Sequence, residues 1–274
     1  MLIVKTHRYR LYPNREQEAW MSRQFGCCRW VYNHFLQARV DYYAAHKDDP
    51  TGFRGKGLTL YDTIKMLPEL KKQPETSWLS EVNSQSLQQT LADLDKAYNN
   101  FFNKRSAFPT FHKKGRRESF RVPQSFKVQP AKGIVSLPKV GAVKSVFHRP
   151  IPTGADVKFV TVTRSPSGKY HASICFEVSV PDPVPEGLGI IGVDLGLKDY
   201  VVTSDKEHVP APKFLRLAEE KLKRAQRKLS RRVKGSKGRE EARRLLAVQH
   251  EKVRNKRQDF IHKLTRRLVR ENQA

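Results

Sequence analysis

The sequence is poor in cysteine and in long apolar runs. Its 274 residues include three cysteines, Cys27, Cys28 and Cys175. The adjacent pair can neither close an unstrained disulfide nor supply the CxxC spacing of a metal site, so a reducing compartment is expected. No uncharged stretch approaches the roughly 18 residues that cross a bilayer. The sequence therefore predicts a soluble, cytoplasmic protein without membrane contact.

Acidic residues are also scarce. The chain has 27 Asp and Glu against 53 Lys and Arg, a formal net charge of +26. This balance is unlike that of an enzyme for small metabolites and indicates a polyanionic partner. With 38% hydrophobic residues, among them 14 Phe and 9 Tyr, the chain is too apolar for a disordered basic tail. Its length predicts two or three compact units.

The first 180 residues predict a strand, three helices and then a β region. The strand ends at Pro13, and Asn14 with Gln17 has the spacing of a capping box. From Phe120 the apolar period becomes two, which is typical of strands. The predicted elements are a strand at 3–12, helices at 14–45, 59–72 and from 83 onward, and a hairpin with arms at 157–164 and 169–180.

After a linker at 181–187, the sequence predicts a second domain. An apolar strand at 190–193 and a strand at 200–204 lead into two basic helices, at 214–234 and 239–272. Residues 213–274 hold 22 Lys and Arg against 7 Asp and Glu, a net charge of +15. An antiparallel helical hairpin is expected. Its predicted apolar stripes are Leu215, Leu222, Ala225 and Leu229 on one helix, and Leu245, Val248, Phe260, Ile261, Leu264 and Leu268 on the other.

Asp194 is the principal candidate for chemistry. It follows the apolar run Ile190–Val193 and precedes Gly196, so we expect it at the edge of a dry core, where a carboxylate can hold a divalent metal. Capping of an ordinary β-turn explains the same residue. Two-metal catalysis needs more carboxylates. The later acids lie mostly on the basic helices, where salt bridges explain them, and Asp205 and Glu207 are the fallback ligands.

The third helix begins with a turn rich in amides. Ser84, Gln85 and Gln88 are neutral and polar in a strongly basic protein. Gln can hydrogen-bond both N6 and N7 of adenine in the major groove of DNA. These three residues are therefore candidates for DNA contact, while N-capping and solvent exposure remain the ordinary explanation.

Three groups of cations are candidate phosphate contacts. Lys5, Arg8 and Arg10 lie on the first predicted strand. Lys113 and Lys114 lie in the stretch 108–117, which mixes aromatic and basic residues and suits stacked bases with their phosphates. Arg231 and Arg232 follow the first basic helix. Solvated surface is the alternative reading, but a net charge of +15 over 62 residues repels itself and favours phosphate contact.

In this order, the segments resemble the transposon-encoded TnpB family, ancestors of the type V CRISPR effectors. The matching stretches are Arg10–Pro13, Cys28–Asn33, Leu87–Gln89 with Tyr98–Phe102, Phe108–Pro109, Gly192–Lys198 and Asn255–Leu264. The resemblance implies a multidomain α+β fold, in which a β-barrel wedge domain with a helical insertion precedes a partial RNase H-like (RuvC) α/β domain. The implied boundaries are 1–13 and 113–181 for the wedge, 14–112 for the recognition insertion, and 182–274 for RuvC.

The resemblance also implies the function. It predicts an RNA-guided DNA endonuclease that binds a guide RNA from the transposon end and double-stranded target DNA beside a short flanking motif. The protein would be monomeric in this complex and associated with a prokaryotic nucleoid. Asp194 matches the first RuvC carboxylate, one ligand of a two-Mg²⁺ site. A further catalytic Glu, a Zn²⁺-binding ribbon and a final Asp are expected only beyond residue 274, so the chain itself is expected to be inactive.

Three other functions explain part of the same sequence. A nuclease-inactive RNA-guided binder, such as a repressor or a decayed copy, shares every binding feature and differs only in its active site. A ribosomal or structural RNA-binding protein explains the charge but does not require Asp194. An actin-like ATPase uses a similar Asp-x-Gly turn, yet the Gly-poor helices after residue 213 offer no second phosphate loop.

Overall fold

The computed structural model describes residues 1–47, 57–116, 118–182 and 190–271. The chain forms two compact units. The first comprises Met1–Ser165 and Lys169–Val180, and the second comprises Pro166–Gly168 and Pro181–Ala274. Most of the linker predicted at 181–187 lies outside the described residues. The fold mixes helices with antiparallel sheets, which confirms the predicted mixed class.

The first unit consists of three helices and a seven-stranded sheet. The helices are α1 (Arg15–His46), α2 (Leu60–Lys72) and α3 (Ser84–Phe102), with a 3-10 segment at Pro74–Ser80 between the last two. The strands are β1 (Leu2–Tyr12), β2 (Glu118–Val122), β3 (Lys127–Gln129), β4 (Ile134–Leu137), β5 (Gly141–Val146), β6 (Asp156–Arg164) and β7 (Tyr170–Ser179). The predicted first strand, three helices and hairpin are confirmed to within a few residues.

All neighbouring strands of this sheet are antiparallel, in the order β2-β6-β7-β1-β5-β4-β3. The N-terminal strand β1 lies in its middle, with Leu2 opposite Ser179 of β7 and Tyr12 opposite Lys144 of β5. Strand β7 alternates as predicted, since Tyr170, Ala172, Ile174, Phe176 and Val178 are all buried. These side chains belong to the hydrophobic core of the unit, and the Tyr170 ring lies 6.5 Å from the Phe25 ring of α1.

Helices α1 and α3 run parallel, side by side. Three contacts in the same order along both helices show this: Gln24 bonds to Asn83, Cys28 to Ser86, and Arg39 to Asp95. Helix α1 begins with the predicted capping box of Asn14 and Gln17. Leu87, Leu91 and Leu94 of α3 are completely buried, as an amphipathic helix on a core requires. Phe101, in the last turn of α3, is only half-buried.

The second unit has a small sheet and two long helices. Its strands β8 (Val193–Asp194), β9 (Asp199–Thr203) and β10 (His208–Pro210) are ordered β10-β9-β8. Helices α4 (Phe214–Ser230) and α5 (Lys237–Glu271) pack together across a short connection, which confirms the predicted hairpin.

The predicted apolar stripe of this hairpin was partly wrong. Leu215 and Ile261 are 50% and 39% exposed, whereas the buried residues of α5 are Ala242, Glu251, Val253 and Leu264. Helix α5 has 35 residues and its partner α4 has 17. The shorter helix can cover only part of the longer one, so part of the apolar pattern of α5 has no helical partner.

Candidate nucleic-acid interface and the surroundings of Asp194

The first turn of α3 is held in place from two sides. Buried Gln24 of α1 accepts a 2.8 Å hydrogen bond from the backbone N–H of Asn83, whose side chain in turn caps Ser86 N. On the surface, the ammonium group of Lys71 donates a 2.6 Å hydrogen bond to the Ser84 hydroxyl. Burial, followed by the charge of Lys139, lowers the pKa of Lys71. The turn is therefore fixed to both α1 and α2.

The three predicted polar residues lie on neighbouring positions of this turn. Ser84 and Gln88 are exposed and one helical turn apart, and Gln85 between them is half-buried. The Gln85 Oε1 atom is buried and has no hydrogen-bond partner among the described residues. An unpaired buried amide oxygen costs free energy unless a partner reaches it. Ser84 and Gln88 present polar groups to solvent, and Gln24 and Lys71 are positioning residues that the sequence reading missed.

The cations of β1 do not all share one face of the strand. Arg8 and Arg10 lie two residues apart on one face, and Arg8 donates a 3.0 Å hydrogen bond to His171 Nδ1 of β7. Arg10 donates to the Tyr170 carbonyl oxygen and lies 5.3 Å from the ring centre of Tyr12. Lys5 is exposed, but it occupies an odd position along β1 and so faces away from Arg8 and Arg10. The structure thus groups two of the three predicted residues.

Lys113 and Lys114 follow an anchored position in the loop between α3 and β2. Asn33 of α1 forms two hydrogen bonds with the backbone of His112, at 2.7 and 3.0 Å. The Tyr32 ring stacks on the His112 ring with 3.7 Å between centres. Both lysines after this anchor are exposed. They are therefore presented to solvent from a fixed point of the loop.

A cluster of cations lies at the C-terminal end of α4. Arg224, Arg227, Lys228, Arg231 and Arg232 line one open groove. The spacing of Arg224, Arg227 and Lys228 places these three side chains on one face of α4, and Arg231 and Arg232 follow directly after its last residue, Ser230. Sequence reading selected Arg231 and Arg232 alone, although the same helical spacing extends back to Arg224.

The sequence predicted that Asp194 lies at the edge of a dry core, and this prediction was wrong. Strand β8 has two residues instead of a run from Ile190, and Asp194 is exposed, as is Ile190, at 90%. One neighbouring strand, β9, pairs with β8. The apolar character of residues 190–193 therefore does not reflect burial within the described part of the chain.

The acidic residues near this sheet have partners other than a metal. Asp199 is 2.9 Å from His208 Nδ1, and Glu207 forms a 2.8 Å ion pair with Arg267 of α5. Asp205 accepts a weak hydrogen bond from the Ser204 hydroxyl. Within the described residues, no group of three His, Cys, Asp or Glu side chains could hold a metal ion. Asp194 by itself does not form a two-metal site.

Among the helices in the described ranges, none is both long and apolar enough to cross a membrane.

Two family models match the chain. OrfB_IS605, described as "Probable transposase", covers residues 173–274, and a model described as "Helix-turn-helix domain" covers residues 1–48. Over the second range, as far as residue 47, the structure shows strand β1 followed by the unbroken helix α1.

Relatives match almost the whole chain. A Streptomyces pristinaespiralis protein named "Putative RNA-guided DNA endonuclease" is 36% identical over 275 residues, covering 99% of this chain and 66% of that protein. The Escherichia coli K12 protein named "Putative RNA-guided DNA endonuclease InsQ" is 36% identical over 263 residues, covering 96% of this chain and 62% of InsQ. The chain therefore spans slightly less than two thirds of the length of these two relatives.

Solved structures give a more distant match. A chain in the "Cryo-EM structure of the Cas12f1-sgRNA-target DNA complex" aligns with a TM-score of 0.49 and 11% identity. The alignment covers 99% of this chain and 80% of that chain.

Proposed function

The chain belongs to the TnpB family, and from this premise we propose that it is the nucleic-acid-binding part of an RNA-guided DNA endonuclease. It binds a guide RNA from the transposon end first, and then double-stranded target DNA beside a short flanking motif. In this proposal the seven-stranded sheet is the wedge domain, the helices α1–α3 are the recognition insertion, and residues 182–274 contribute to a RuvC domain. Relatives named for this activity support the assignment.

The observation that carries the proposal is the distribution of cations. Five Arg and Lys side chains line the groove of α4 without an acidic residue among them. Residues 213–274 together have a net charge of +15. The positive charges of this helical hairpin repel one another, and the phosphates of a bound polyanion would reduce that repulsion and stabilise the hairpin. Because RNA and DNA are the polyanions of the proposed activity, both α4 and the Arg8–Arg10 face of β1 are assigned to phosphate contact.

Recognition of the flanking motif is assigned to the first turn of α3. Gln88 is exposed, and its amide can donate to and accept from one base edge in the major groove. Ser84 and Gln85 are the adjacent candidates. The contact between Gln24 and Asn83 fixes the backbone of the turn, so little backbone conformational entropy would be lost when a base edge binds.

Asp194 is proposed as one Mg²⁺ ligand of the whole nuclease. A bound Mg²⁺ pair would stabilise the attacking and leaving oxygens of a phosphodiester. One carboxylate cannot neutralise two such ions. In the proposal, the described residues therefore bind and position nucleic acid, and Asp194 marks the strand end at which the metal site would be completed.

A nuclease-inactive RNA-guided binder is the second candidate function. The observation that favours it is that Asp194 is exposed and that, among the described residues, it belongs to no group of three or more side chains able to hold a metal ion. Both candidates require the same RNA and DNA surfaces and differ only in strand cleavage.

The test of the shared proposal is RNA binding at two salt concentrations. The chain is purified from cells that also carry its flanking transposon sequence, and the copurifying RNA is sequenced and rebound in a filter assay. We expect one transposon-end RNA to be enriched, and its affinity to fall at least about tenfold between roughly 50 and 200 mM salt. Recovery of unrelated RNAs in proportion to their abundance would contradict the proposal.

A further inference from the structure

Four aromatic rings meet at the C-terminal end of α3. Tyr98, Phe101 and Phe102 belong to the last turns of the helix, and Phe108 reaches back from the loop that follows. The Phe108 ring lies edge-on to both Tyr98 and Phe101, with centres 5.5 and 5.2 Å apart. Phe102 lies 6.1 Å from Tyr98 and 5.4 Å from Phe101. These four residues are called the aromatic platform below.

The outer rings of the platform face solvent. Phe102 is 71% exposed and Phe108 is 44% exposed. Single exposed apolar side chains are common on soluble proteins, but a contiguous patch of aromatic rings marks an interaction surface. Tyr98, at 9% exposure, occupies the buried side of the cluster.

The buried side of the platform is held rigidly. The Arg39 guanidinium of α1 lies 5.0 Å from the ring centre of Tyr98 and forms a 2.9 Å ion pair with Asp95. Pro109, directly after Phe108, is buried and anchors the loop. The inner ring of the platform is therefore already in place behind the two outer rings on which a flat ligand would stack.

Cations flank the platform. Lys104 and Arg105 follow the end of α3, and both are exposed and form no ion pair in the described ranges. Lys113 and Lys114 lie a few residues after Phe108 in the same loop. Exposed rings with exposed Lys and Arg nearby in the sequence suit a single-stranded nucleic acid, whose bases stack on the rings while its phosphates contact the cations.

We propose that the aromatic platform stacks unpaired bases of RNA, with Lys104 and Arg105 binding the adjacent phosphates. The inference rests on the proposed function, which supplies an RNA partner. RNA is chosen over target DNA because bases within a DNA duplex are already stacked on one another, whereas loops and ends of RNA present free base faces. An apolar protein partner would not explain the concentration of cations around the rings.

The test is a titration of short labelled oligouridylate with the 274-residue protein, at about 300 mM salt to weaken phosphate contacts. The Phe102→Leu, Phe108→Leu double variant keeps apolar bulk but removes both outer rings. We expect it to bind oligouridylate about tenfold more weakly. Phe102→Trp keeps a stacking surface and is expected to retain the affinity of the unmodified protein. Tyr61→Leu is the matched control, because Tyr61 of α2 is 64% exposed but belongs to no ring cluster in the described part of the chain.

The outcomes separate this inference from the proposed function. If the unmodified protein binds oligouridylate and the double variant binds it equally well, the platform is overturned and the proposed function stands. An equal loss in Phe102→Trp and the double variant would also overturn it, because packing rather than stacking would then explain the effect. The same titration with oligothymidylate, a single-stranded DNA, tests the choice of RNA. If the double variant lost affinity for oligothymidylate alone, the assignment to RNA would be refuted. Failure of the unmodified protein to bind any RNA would contradict the proposed function itself.

Discussion

Gln24 in the middle of α1 accepts a 2.8 Å hydrogen bond from the backbone N–H of Asn83, the residue that caps α3. Gln24 is fully buried, and its amide nitrogen also donates to the Cys28 sulfur at 3.3 Å. A buried side chain thus joins two helices 59 residues apart in sequence. Through Asn83 it determines where Ser84 and Gln88 reach the surface.

Gln24→Leu is therefore expected to destabilise the protein. The substitution nearly preserves volume but leaves the Asn83 N–H buried without an acceptor, which costs about 1–3 kcal/mol. Urea unfolding monitored by circular dichroism measures the change in free energy of unfolding. Gln37→Leu, on an exposed position of the same helix, should change it by less than about 0.5 kcal/mol. Equal effects of the two substitutions would contradict the proposed role of Gln24.

Gln88→Ala should relax the preference for one base of the flanking motif. Loss of one base-edge contact costs about 1–3 kcal/mol of discrimination at that position and little affinity elsewhere. Selection from a library with randomised flanking DNA measures the preference directly. Gln37→Ala serves as the control. An unchanged preference in Gln88→Ala would remove α3 from motif recognition.

Arg231→Ala and Arg232→Ala should each reduce the salt dependence of RNA binding. Each removed phosphate contact lowers the slope of log affinity against log salt by about one. Lys158→Ala is a matched control, because Asp156 and Glu177 already neutralise Lys158 at 2.9 and 2.8 Å. A slope that changes as much in the control as in the α4 variants would show that the α4 groove does not contact phosphate.

The Glu118–Arg164 pair predicts acid sensitivity of the first unit. Burial opposes ionisation of Glu118, but a 2.6 Å hydrogen bond from Arg164 and its charge outweigh burial, so the pKa of Glu118 lies below its usual 4.5. Because the pKa of Glu118 is lower in the folded state, its ionised carboxylate stabilises the folded state at pH values above the unfolded-state pKa. This contribution is lost as the pH falls through the folded-state pKa.

Glu118→Gln should thus lower the free energy of unfolding at pH 7 by about 1–3 kcal/mol. The difference from the unmodified protein should shrink as pH falls below about 4.5. Denaturant titrations across this pH range measure the difference in the free energy of unfolding. A difference that stays constant with pH would contradict an ionised Glu118 in the folded state.

Asp194→Ala should leave RNA and DNA binding unchanged, because Asp194 is exposed and lies on a two-residue strand. With RNA and Mg²⁺, the 274-residue chain should leave a supercoiled target plasmid intact, since a lone carboxylate does not hold two metals. Plasmid linearisation measures cleavage. Guide-dependent cutting that Asp194→Ala abolishes would contradict this prediction and would make Asp205 and Glu207 the next candidate ligands.

Local patterns predicted most of the first unit. The capping box of Asn14 and Gln17 is a signal between residues three apart in the sequence, and it was confirmed. The alternation of β7 was equally reliable, because one face of that strand is buried. In each case the pattern and the burial follow from the same local period.

Long-range contacts explain what the sequence reading missed. Gln24 and Asn33 position the candidate surfaces through partners 59 and 79 residues away, and no local pattern distinguishes them from ordinary polar residues of a helix. The error at β8 has a related cause. An apolar run such as Ile190–Val193 indicates a strand that could be buried, but burial depends on neighbouring elements, and in the described structure β9 alone pairs with it.

The central claim, that RNA directs this chain to DNA, is tested most directly by a mobility-shift titration. A duplex containing the flanking motif and the guide-complementary sequence is titrated with the protein, together with either the copurifying RNA or the same RNA carrying a scrambled guide segment. The account predicts a tight complex only with the matching guide, and affinity for the scrambled complex at least about a thousandfold weaker, at the level of non-specific binding. Equal affinity with both RNAs would contradict it.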